Sequence, residues 1–598
     1  MTATPARAGD EDLGTLPEWN LADLYPAPEA PELAQDLAAA RASAEAFAKR
    51  YADRLGEIDG STFGEAIAEY EAIDEILGRI MSYAGLLHAG AMDDPEVGRF
   101  YQTMHEQVTD ISAQVLFFTL ELNRLDDDAL AEKMTAPEAA RYAPWVRDRR
   151  AFRPHQLSQE IERLLHEKSV AGRAAWIRLF DETVDSLRFP IEGKELTSAE
   201  ALHLLSSPDG DKRRRAAKAL GKVFGENQRL FALVTNTLVK EKEIEDRWRK
   251  FERPISARNL SNHVEDAVVD ALIAAVRDAY PKLSHRYYRI KARWFGVEAL
   301  DYWDRNAPLP DEDDRAIPWD EARDTVLAAY RAFAPEMAAL GARFFANAWI
   351  DAGVRPGKSP GAFAHPTVPS AHPYLLLNYQ GRVRDVMTLA HELGHGVHQL
   401  LAADQGALMA DTPLTLAETA SVFGEQLTFR AMLEAEDAAG KRRAMLANKV
   451  EDMLNTVVRQ IAFCEFERLL HDERRGGELT PERIGEIWLA VQSESLGPAI
   501  RFDDEYRHYW TYIPHFIHSP FYVYAYAFGD CLVNSLYAVY QETAAGFQDK
   551  YFAMLRAGGT LRHRELLAPF GLDASDPAFW HKGLGVIAGF IDQLDDAV

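Results

Sequence analysis

Cysteine is nearly absent from this sequence, which has only Cys464 and Cys531 among its 598 residues. The count excludes a disulfide framework, and because both cysteines lie in apolar surroundings we expect two buried free thiols. No uninterrupted apolar run is long enough to cross a membrane, and the first residues have no apolar signal core. These absences predict a soluble, cytoplasmic protein without a membrane partner.

Positive charge is scarce as well. Lys and Arg together number 66 against 93 Asp and Glu, which gives a net charge of −27. Nucleic-acid binding depends on concentrated Lys and Arg, so we expect no nucleic-acid partner. The short basic run at 212–215 shares a helical pattern with many acids, and we interpret it as a solvated helix face. No feature of the sequence indicates an obligate protein partner.

Long amphipathic patterns are what the sequence has in abundance. Its length allows a large core and two or more lobes, and residues 1–18 are polar and predicted to be disordered. Helical periodicity predicts helices at 33–55, 62–87, 95–122, 210–251 and 318–352. Short apolar runs bounded by turn residues predict a hairpin over 189–197, a strand at 300–305 and a small sheet within 353–379.

The segment from Asp385 to Gln399 contains the pattern His-Glu-x-x-His, formed by His391, Glu392 and His395. On a helix, residues four apart share a face, so both histidines can bind one metal ion. Glu392 can instead reach a water on that metal, which is the arrangement of a zinc hydrolase. The alternative is a surface helix with two histidines, but the apolar flanking residues are typical of a buried helix.

Such a centre requires a third protein ligand. His398 shares nearly the same face, but it lies about 10.5 Å along the axis from His391. Zinc–nitrogen bonds are only about 2.0–2.1 Å long, so we interpret His398 as a packing residue or a neighbour of a ligand. Glu418 follows Pro413 in a second predicted helix, and an antiparallel return would bring it to the metal. Glu425, on the same face as Glu418, either hydrogen-bonds a ligand imidazole or is a solvated charge.

A segment rich in Tyr and His spans residues 504–526. A Tyr hydroxyl or a His N–H can stabilise the oxyanion that forms when water adds to a peptide carbonyl. His518, Tyr522 and Tyr526 are predicted to share one helical face. An aromatic core stripe is the alternative interpretation of the same pattern.

Several motifs occur together in this chain. They are His391-Glu-Leu-Gly-His395-Gly-Val-His398, Glu418-Thr-Ala-Ser421, Ile513-Pro-His515-Phe, Pro520-Phe-Tyr522-Val-Tyr524-Ala-Tyr526, Gly361-Ala-Phe363 and the opening Trp19 to Pro26. In these motifs the sequence resembles the M3 zinc metallopeptidases, and among them the oligoendopeptidase F type. The resemblance spans nearly the whole chain.

The resemblance implies three kinds of site residue. The ligands of one Zn²⁺ ion per chain are His391, His395 and Glu418. The catalytic residues are Glu392 as general base, with His515, Tyr522 and Tyr526 at the transition state. Tyr524 is the alternative assignment for the position given to Tyr522. Gly361, Ala362 and Phe363 belong to an edge strand that either pairs with the backbone of a peptide substrate or is only a connector.

The resemblance also implies a mainly α fold, a two-lobed helical zincin with a small β-sheet beside the active-site helix and a deep substrate channel. After the disordered residues 1–18, we expect an N-terminal helical lobe at 19–190 and an M3-type catalytic domain at 191–598 with the zinc site at 391–425. The implied activity is hydrolysis of internal bonds in short, unstructured oligopeptides. Two alternatives stay open: an M32-like zinc carboxypeptidase, with Arg501 or Arg507 binding the terminal carboxylate, and a non-catalytic peptide-binding protein.

Overall fold

The computed structural model describes residues 13–169, 171–309 and 315–596. Helices dominate and the strands are short, so the prediction of a mainly α fold is confirmed. The chain forms two compact units: the first takes the described residues of Met1–Arg153, Asp314–Ala435 and Thr543–Phe570, and the second those of Pro154–Asp313, Glu436–Glu542 and Gly571–Val598. The division predicted from the sequence, at residue 190, separates two contiguous segments, which is a different kind of division. It stays a prediction.

The first unit opens with three long helices close to their predicted bounds, Pro31–Tyr51, Gly60–Gly90 and Pro95–Arg124. Local chemistry sets where they begin: the Asp59 side chain accepts from the Thr62 N–H, and Asp94 caps a helix whose first residue is proline. The helices pack around aromatic side chains such as Phe47 and Phe118, whose ring centroids lie 5.1 Å apart. Three shorter helices follow, Asp127–Lys133, Pro137–Ala140 and Ala143–Arg150.

The remaining helices of the first unit are Trp319–Phe333, Pro335–Ala346, Val383–Ala402, Leu414–Ala435, Phe547–Arg556 and His563–Leu567. The helix predicted at 318–352 is interrupted, because a proline at 335 has no N–H for the helical ladder. Val383–Ala402 is called the histidine helix and Leu414–Ala435 the glutamate helix below. These two helices pack against each other.

A small sheet precedes the histidine helix, as predicted, but one of its strands, at 350–351, lies in the segment predicted as helix. Its strands lie in the order Ile350–Asp351, Tyr374–Leu376, Phe363–His365, with the first pair parallel and the second antiparallel. Phe363–His365 is therefore an edge strand among the described residues. Gly361, with φ +88°, lies in a bend before this strand, so Phe363 alone of the three predicted substrate-binding residues belongs to it.

The second unit is also helical. Its helices are Gln159–Ser169, Arg173–Ser186, Ser198–His203, Gly210–Trp248, Ser256–Ser261, Asp266–Ala279, Ser284–Trp294, Ala439–Thr456, Val458–Arg474, Pro481–Leu496, His515–His518, Tyr524–Glu542 and Pro577–Asp596. The predicted hairpin is present, with Phe189–Ile191 antiparallel to Lys194–Leu196. The strand predicted at 300–305 is wrong beyond Asp301: Leu300–Asp301 pairs with Ile500–Arg501, and the chain then turns so that Asp304 meets the Arg213 guanidinium at 2.7 Å.

Three observations bear on what the sequence lacks. Cys464 and Cys531 are both buried and free, as predicted. Within the described part of the chain, every helix is too short or too polar to cross a membrane. Of the segment predicted to be disordered, residues 1–12 lie outside the described residues, whereas the carbonyls of Leu13 and Pro17 accept backbone hydrogen bonds.

Candidate active site

The histidine helix is fixed at its start by Asp385. The Asp385 carboxylate accepts hydrogen bonds from the backbone N–H groups of Gln380 and Arg382, at 2.9 and 3.0 Å. An acid in the first turn also interacts favourably with the helix dipole. The helix continues without interruption through His391 and His395, so the two rings lie on one face with centroids 4.9 Å apart.

Two glycines allow neighbouring elements to approach the histidine helix closely. A Cβ at Gly394 would lie 2.5 Å from the carbonyl oxygen of Ala420 in the glutamate helix, and one at Gly396 would lie 2.5 Å from the Phe344 ring. Neither position has room for a larger residue unless a packed element shifts. The two helices therefore meet backbone to backbone beside Glu418. The sequence predictions assign these glycines no role, although they flank His395.

The side chains of His391, His395 and Glu418 converge, with one ligand atom from each within 4.8 Å of the other two. Glu418 Oε2 lies 3.3 Å from His391 Nε2 and 3.5 Å from His395 Nε2. Two donors on a tetrahedral zinc ion with bonds of about 2.0–2.1 Å are roughly 3.3 Å apart. The donor types and their spacing therefore fit Zn²⁺.

Polar neighbours hold two of these three side chains. The Ser421 hydroxyl donates to Glu418 Oε2 at 2.6 Å, and Glu425 Oε2 lies 3.3 Å from His391 Nδ1. A carboxylate on the far ring nitrogen fixes the tautomer and the orientation of a metal-binding imidazole. The sequence leaves two interpretations of Glu425 open, a hydrogen bond to an imidazole or a solvated charge. In the structure Glu425 lies beside the His391 imidazole.

Burial and charge act together on the pKa values of this group. Burial lowers the pKa of His391, but its hydrogen bond to the Glu425 carboxylate and the charges of Glu418 and Glu392 outweigh burial and raise this pKa to about 9. Burial lowers the pKa of His395, which keeps its ring neutral. Burial raises the pKa of Glu418, but His395 and His391 outweigh it and hold this pKa below its ordinary value. Strongly shifted groups of opposite charge in one place are typical of functional sites.

Glu392 is buried, with only 8% of its surface exposed. Burial raises its pKa to about 7, against the opposing charge of His391. The backbone N–H of Ala364, in the edge strand, also faces this carboxylate. A carboxyl group whose pKa lies near neutrality can accept a proton and return it, which is what a general base in peptide hydrolysis has to do.

Two further side chains support the arrangement without joining the three converging groups. His398 is buried against the carbonyls of Ala417 and Leu555, and burial lowers its pKa to about 4. Tyr330 donates to the Ala390 carbonyl at 2.5 Å and occupies the space that a side chain at Gly424 would need. Tyr330 thereby joins the two helices, and no local pattern in the sequence marks it.

In the second unit, His515, Tyr522 and Tyr526 form a cluster, called the aromatic cluster below. Their ring centroids lie 6.1, 5.9 and 5.3 Å apart, and His515 Nε2 is 3.3 Å from the Tyr526 hydroxyl. Burial and the charge of Arg459 lower the pKa of His515. His518 turns away, with its Nε2 at 2.8 Å from Asp181.

The prediction that His518, Tyr522 and Tyr526 share one helical face is wrong. The helix His515–His518 ends, Phe521 has φ +59°, and a new helix starts at Tyr524. A proline at 520 cannot continue the first helix, which explains the break. Tyr524 is fully buried, and its hydroxyl accepts from Asn262 Nδ2 at 2.9 Å, so it lies outside the aromatic cluster.

Two family models match this chain. The model described as Peptidase family M3 matches residues 329–586, and the model described as Oligopeptidase F matches residues 121–189. Oligopeptidase PepF of Bacillus subtilis strain 168 is 26% identical over 546 residues, which are 89% of this chain and 80% of that protein. An oligoendopeptidase F homolog of Borreliella burgdorferi is 24% identical over 537 residues, with 89% and 90% covered.

Solved structures share the fold. A protein of Chlamydophila abortus gives a TM-score of 0.87 at 23% identity, covering 97% of this chain and 98% of its own. Oligoendopeptidase-F from Enterococcus faecium gives a TM-score of 0.70 at 23% identity, covering 95% and 97%. The two family models together match more than half of the residues. The chain therefore belongs to the M3 family of metalloendopeptidases, in its oligopeptidase F branch.

Proposed function

We propose that this protein is a zinc-dependent oligoendopeptidase that cleaves internal bonds of short, unstructured peptides, with one Zn²⁺ held by His391, His395 and Glu418. The observation that carries the proposal is the spacing of the three donor atoms, with Glu418 Oε2 at 3.3 and 3.5 Å from the two imidazole nitrogens, beside the buried Glu392. The relatives named above are oligopeptidases, and their names support the substrate class.

Zinc, when bound, would lower the pKa of a water molecule and polarise the peptide carbonyl. Glu392 accepts a proton from the attacking water and passes it to the leaving amine, for which its burial and its pKa near 7 suit it. Glu425 orients His391, and Ser421 orients Glu418. Glu392, Glu425 and Ser421 thus each have one defined task around the reacting water.

The peptide backbone has a place to bind in the edge strand Phe363–His365. The Ala364 carbonyl accepts from Gln399 Nε2 at 3.4 Å, and the Ala364 N–H faces Glu392. The edge that does not pair with Tyr374–Leu376 therefore runs along the histidine helix. An extended peptide added to this edge would be held by main-chain hydrogen bonds that replace these two side-chain contacts.

The aromatic cluster is proposed to supply hydrogen-bond donors to the oxyanion. The hydroxyl of Tyr526 is the favoured donor, since His515 lies 3.3 Å away and can orient it. An O–H aimed at developing negative charge contributes more in the transition state than with the bound substrate. We also infer that the enzyme works in the cytoplasm, which the two buried free thiols support.

The carboxypeptidase alternative names Arg501 or Arg507 as the side chain that binds the terminal carboxylate. Arg501 is paired with Asp301 at 3.0 Å, and Arg507 is paired with Asp504 at 3.1 Å. Both guanidinium groups therefore already have a carboxylate partner. The non-catalytic alternative leaves the buried Glu392 without a purpose, because a structural metal site needs no base.

Mass spectrometry of a mixture of unstructured peptides, short and long, tests the proposed function. The mixture is incubated with the zinc-loaded protein and with its Glu392→Gln variant. We expect internal cuts in the short peptides and a loss of about 10²–10⁴-fold in rate for the variant, which keeps its zinc. Stepwise loss of C-terminal residues would instead indicate a carboxypeptidase. If the zinc-loaded protein leaves all peptides intact, the non-catalytic peptide-binding alternative is the better account.

A further inference from the structure

Two arginines in the second unit line one aromatic cavity and have no carboxylate partner among the described residues. Within the described part of the chain, the Arg305 guanidinium makes no hydrogen bond and no ion pair. Arg459 reaches the Tyr512 hydroxyl at 3.5 Å and lies 4.8 Å from the centroid of the Phe463 ring. These arginines stand out in a chain whose net charge is −27.

The carboxylates around the cavity are already engaged by other cations. Asp304 accepts from Arg213 at 2.7 Å, and Asp503 pairs with Lys218. Glu451 influences Arg305 through its charge, but its carboxylate is bonded to Lys291. The protein therefore supplies no anion of its own to Arg305 or Arg459 among the described residues.

Aromatic rings form the cavity walls. Tyr506 lies with its ring centroid 4.8 Å from that of Tyr302 and 6.1 Å from that of Trp488. The Tyr506 hydroxyl donates to Gln492. The Trp488 indole nitrogen is buried and has no hydrogen-bond partner in the described part of the chain. The lining thus offers cationic and neutral N–H donors and no carboxylate.

The size of the cavity restricts what can enter it. The volume of the cavity that is open to the centres of water molecules is about 40 Å³. One water requires roughly 10–15 Å³ measured in this way, so the space suits about three waters or the end of a larger ligand. Arginine binds planar carboxylates through two parallel hydrogen bonds, and it does so most strongly away from bulk solvent. A carboxylate at the end of a chain therefore fits both the size and the charge.

The cavity lies near the aromatic cluster, since the charge of Arg459 acts on His515. Its wall residues Phe463 and Trp488 contact Phe516, with ring centroids 5.4 and 6.4 Å away. Phe516 directly follows His515 in the chain. We propose that Arg305 and Arg459 form a subsite for the C-terminal carboxylate of the peptide substrate, an inference that rests on the proposed function.

Peptides of one sequence, ending in a free carboxylate or in a carboxamide, test this subsite. Their binding is measured by fluorescence anisotropy on the full-length, zinc-loaded Glu392→Gln protein, so the readout does not depend on turnover. We expect the acid to bind about 10-fold more tightly, because charge-assisted hydrogen bonds to arginine are lost in the amide. Adding Arg305→Gln or Arg459→Gln to this protein should bring the ratio close to one.

Matched controls separate charge recognition from misfolding. Arg483→Gln removes an arginine of the same unit that is paired with Glu473 at 2.7 Å, and it should leave the ratio unchanged. Arg305→Lys keeps the positive charge but loses the planar guanidinium that can form two parallel hydrogen bonds, so it should keep part of the preference for the acid. Circular dichroism and melting temperature show whether each variant folds; if Arg305→Gln does not, Arg459→Gln and Arg305→Lys carry the test.

Each outcome supports or overturns the subsite. Equal binding of acid and amide overturns it, and so does a preference that persists in both arginine variants. Acetate that displaces the acid peptide only while Arg305 is present supports the pocket and shows that free carboxylates also enter. If the wild-type protein cleaves no peptide but the Arg-dependent preference is present, the proposed function fails and the subsite stands. If peptides are cleaved and the ratio is one, the subsite alone fails.

Discussion

The pair formed by the histidine and glutamate helices differs from the aromatic cluster in how its side chains are positioned. His391 and His395 are placed by one unbroken helix, and Glu418 by close packing at Gly394. His515 and Tyr526 are placed by a broken helix and a left-handed residue, Phe521. Regular spacing thus positions the first group, whereas an irregular turn positions the second.

The two regions also differ in how their polar groups are satisfied. Around the three converging side chains, Ser421 and Glu425 each hold a named atom of a neighbour. In the aromatic cluster the contact from His515 to the Tyr526 hydroxyl is 3.3 Å, and the Tyr526 side chain is 37% exposed. A metal centre needs fixed donors before the substrate arrives, while donors to an oxyanion can tighten when it binds. We therefore expect packing changes to damage the first region most, and removal of single atoms to damage the second.

Gly394→Ala should have the largest effect. The added methyl group would sit 2.5 Å from the Ala420 carbonyl oxygen, so the glutamate helix has to shift and carry Glu418 with it. We expect a loss of about 1–3 kcal/mol in the free energy of unfolding and a fall in zinc affinity of about 100-fold. Urea unfolding and zinc titration against a competing chelator measure the two quantities.

Gly85→Ala is the matched control, because Gly85 lies in the helix Gly60–Gly90 and no atom of the described residues lies within 4 Å of the added Cβ. It should stabilise the protein by about 0.4–1 kcal/mol and leave zinc affinity unchanged. Equal zinc affinity in the Gly394→Ala and Gly85→Ala proteins would show that helix packing does not position Glu418.

Tyr526→Phe and Tyr524→Phe should separate chemistry from packing within one segment. Loss of the Tyr526 hydroxyl removes an oxyanion donor, so we expect kcat to fall about 10²–10³-fold with little change in stability. Loss of the Tyr524 hydroxyl removes the buried 2.9 Å hydrogen bond from Asn262 Nδ2, so we expect a loss of about 0.5–1.5 kcal/mol in stability with kcat unchanged. Steady-state kinetics and urea unfolding of both variants decide. A similar kcat for both variants would contradict a role for Tyr526 in catalysis.

A prediction on stability alone concerns the turn that precedes Tyr522 of the aromatic cluster. The Phe521 N–H donates to the buried carboxyl group of Glu467 at 2.8 Å, and burial raises the pKa of Glu467 to about 8. The folded protein therefore binds more protons than the unfolded chain between pH 4.5 and 8, so this group's contribution to stability is lost as pH rises through that range. Unfolding free energies measured across this range should decline less steeply for Glu467→Gln. Parallel profiles for the two proteins would refute the shift.

The sequence is sufficient to predict the long helices of the first unit and the convergence of three side chains on one point. Both follow from short-range periodicity: His391 and His395 are four residues apart, and apolar residues recur along Gly60–Gly90. The hairpin at 189–197 is also predictable, because Glu192 and Gly193 take the positive φ that its turn requires.

Other features depend on contacts that are distant in sequence. Tyr330 bonds the Ala390 carbonyl from another helix, and Asp304 leaves the predicted strand to meet Arg213. The helix break before Tyr522 follows from a local proline, but which side chains then meet depends on packing within the unit. Arg305 lies in a turn and Arg459 in the helix Val458–Arg474, so neither could be identified as part of one cavity from its own neighbours in the chain.

The most direct measurement is X-ray diffraction from crystals of the zinc-loaded protein, with anomalous scattering recorded on both sides of the zinc edge. We predict one strong anomalous peak per chain, about 2.0–2.2 Å from His391 Nε2, His395 Nε2 and Glu418 Oε2. A peak at another site, or active crystals without any peak at these three atoms, would contradict the metal centre on which the proposed function rests.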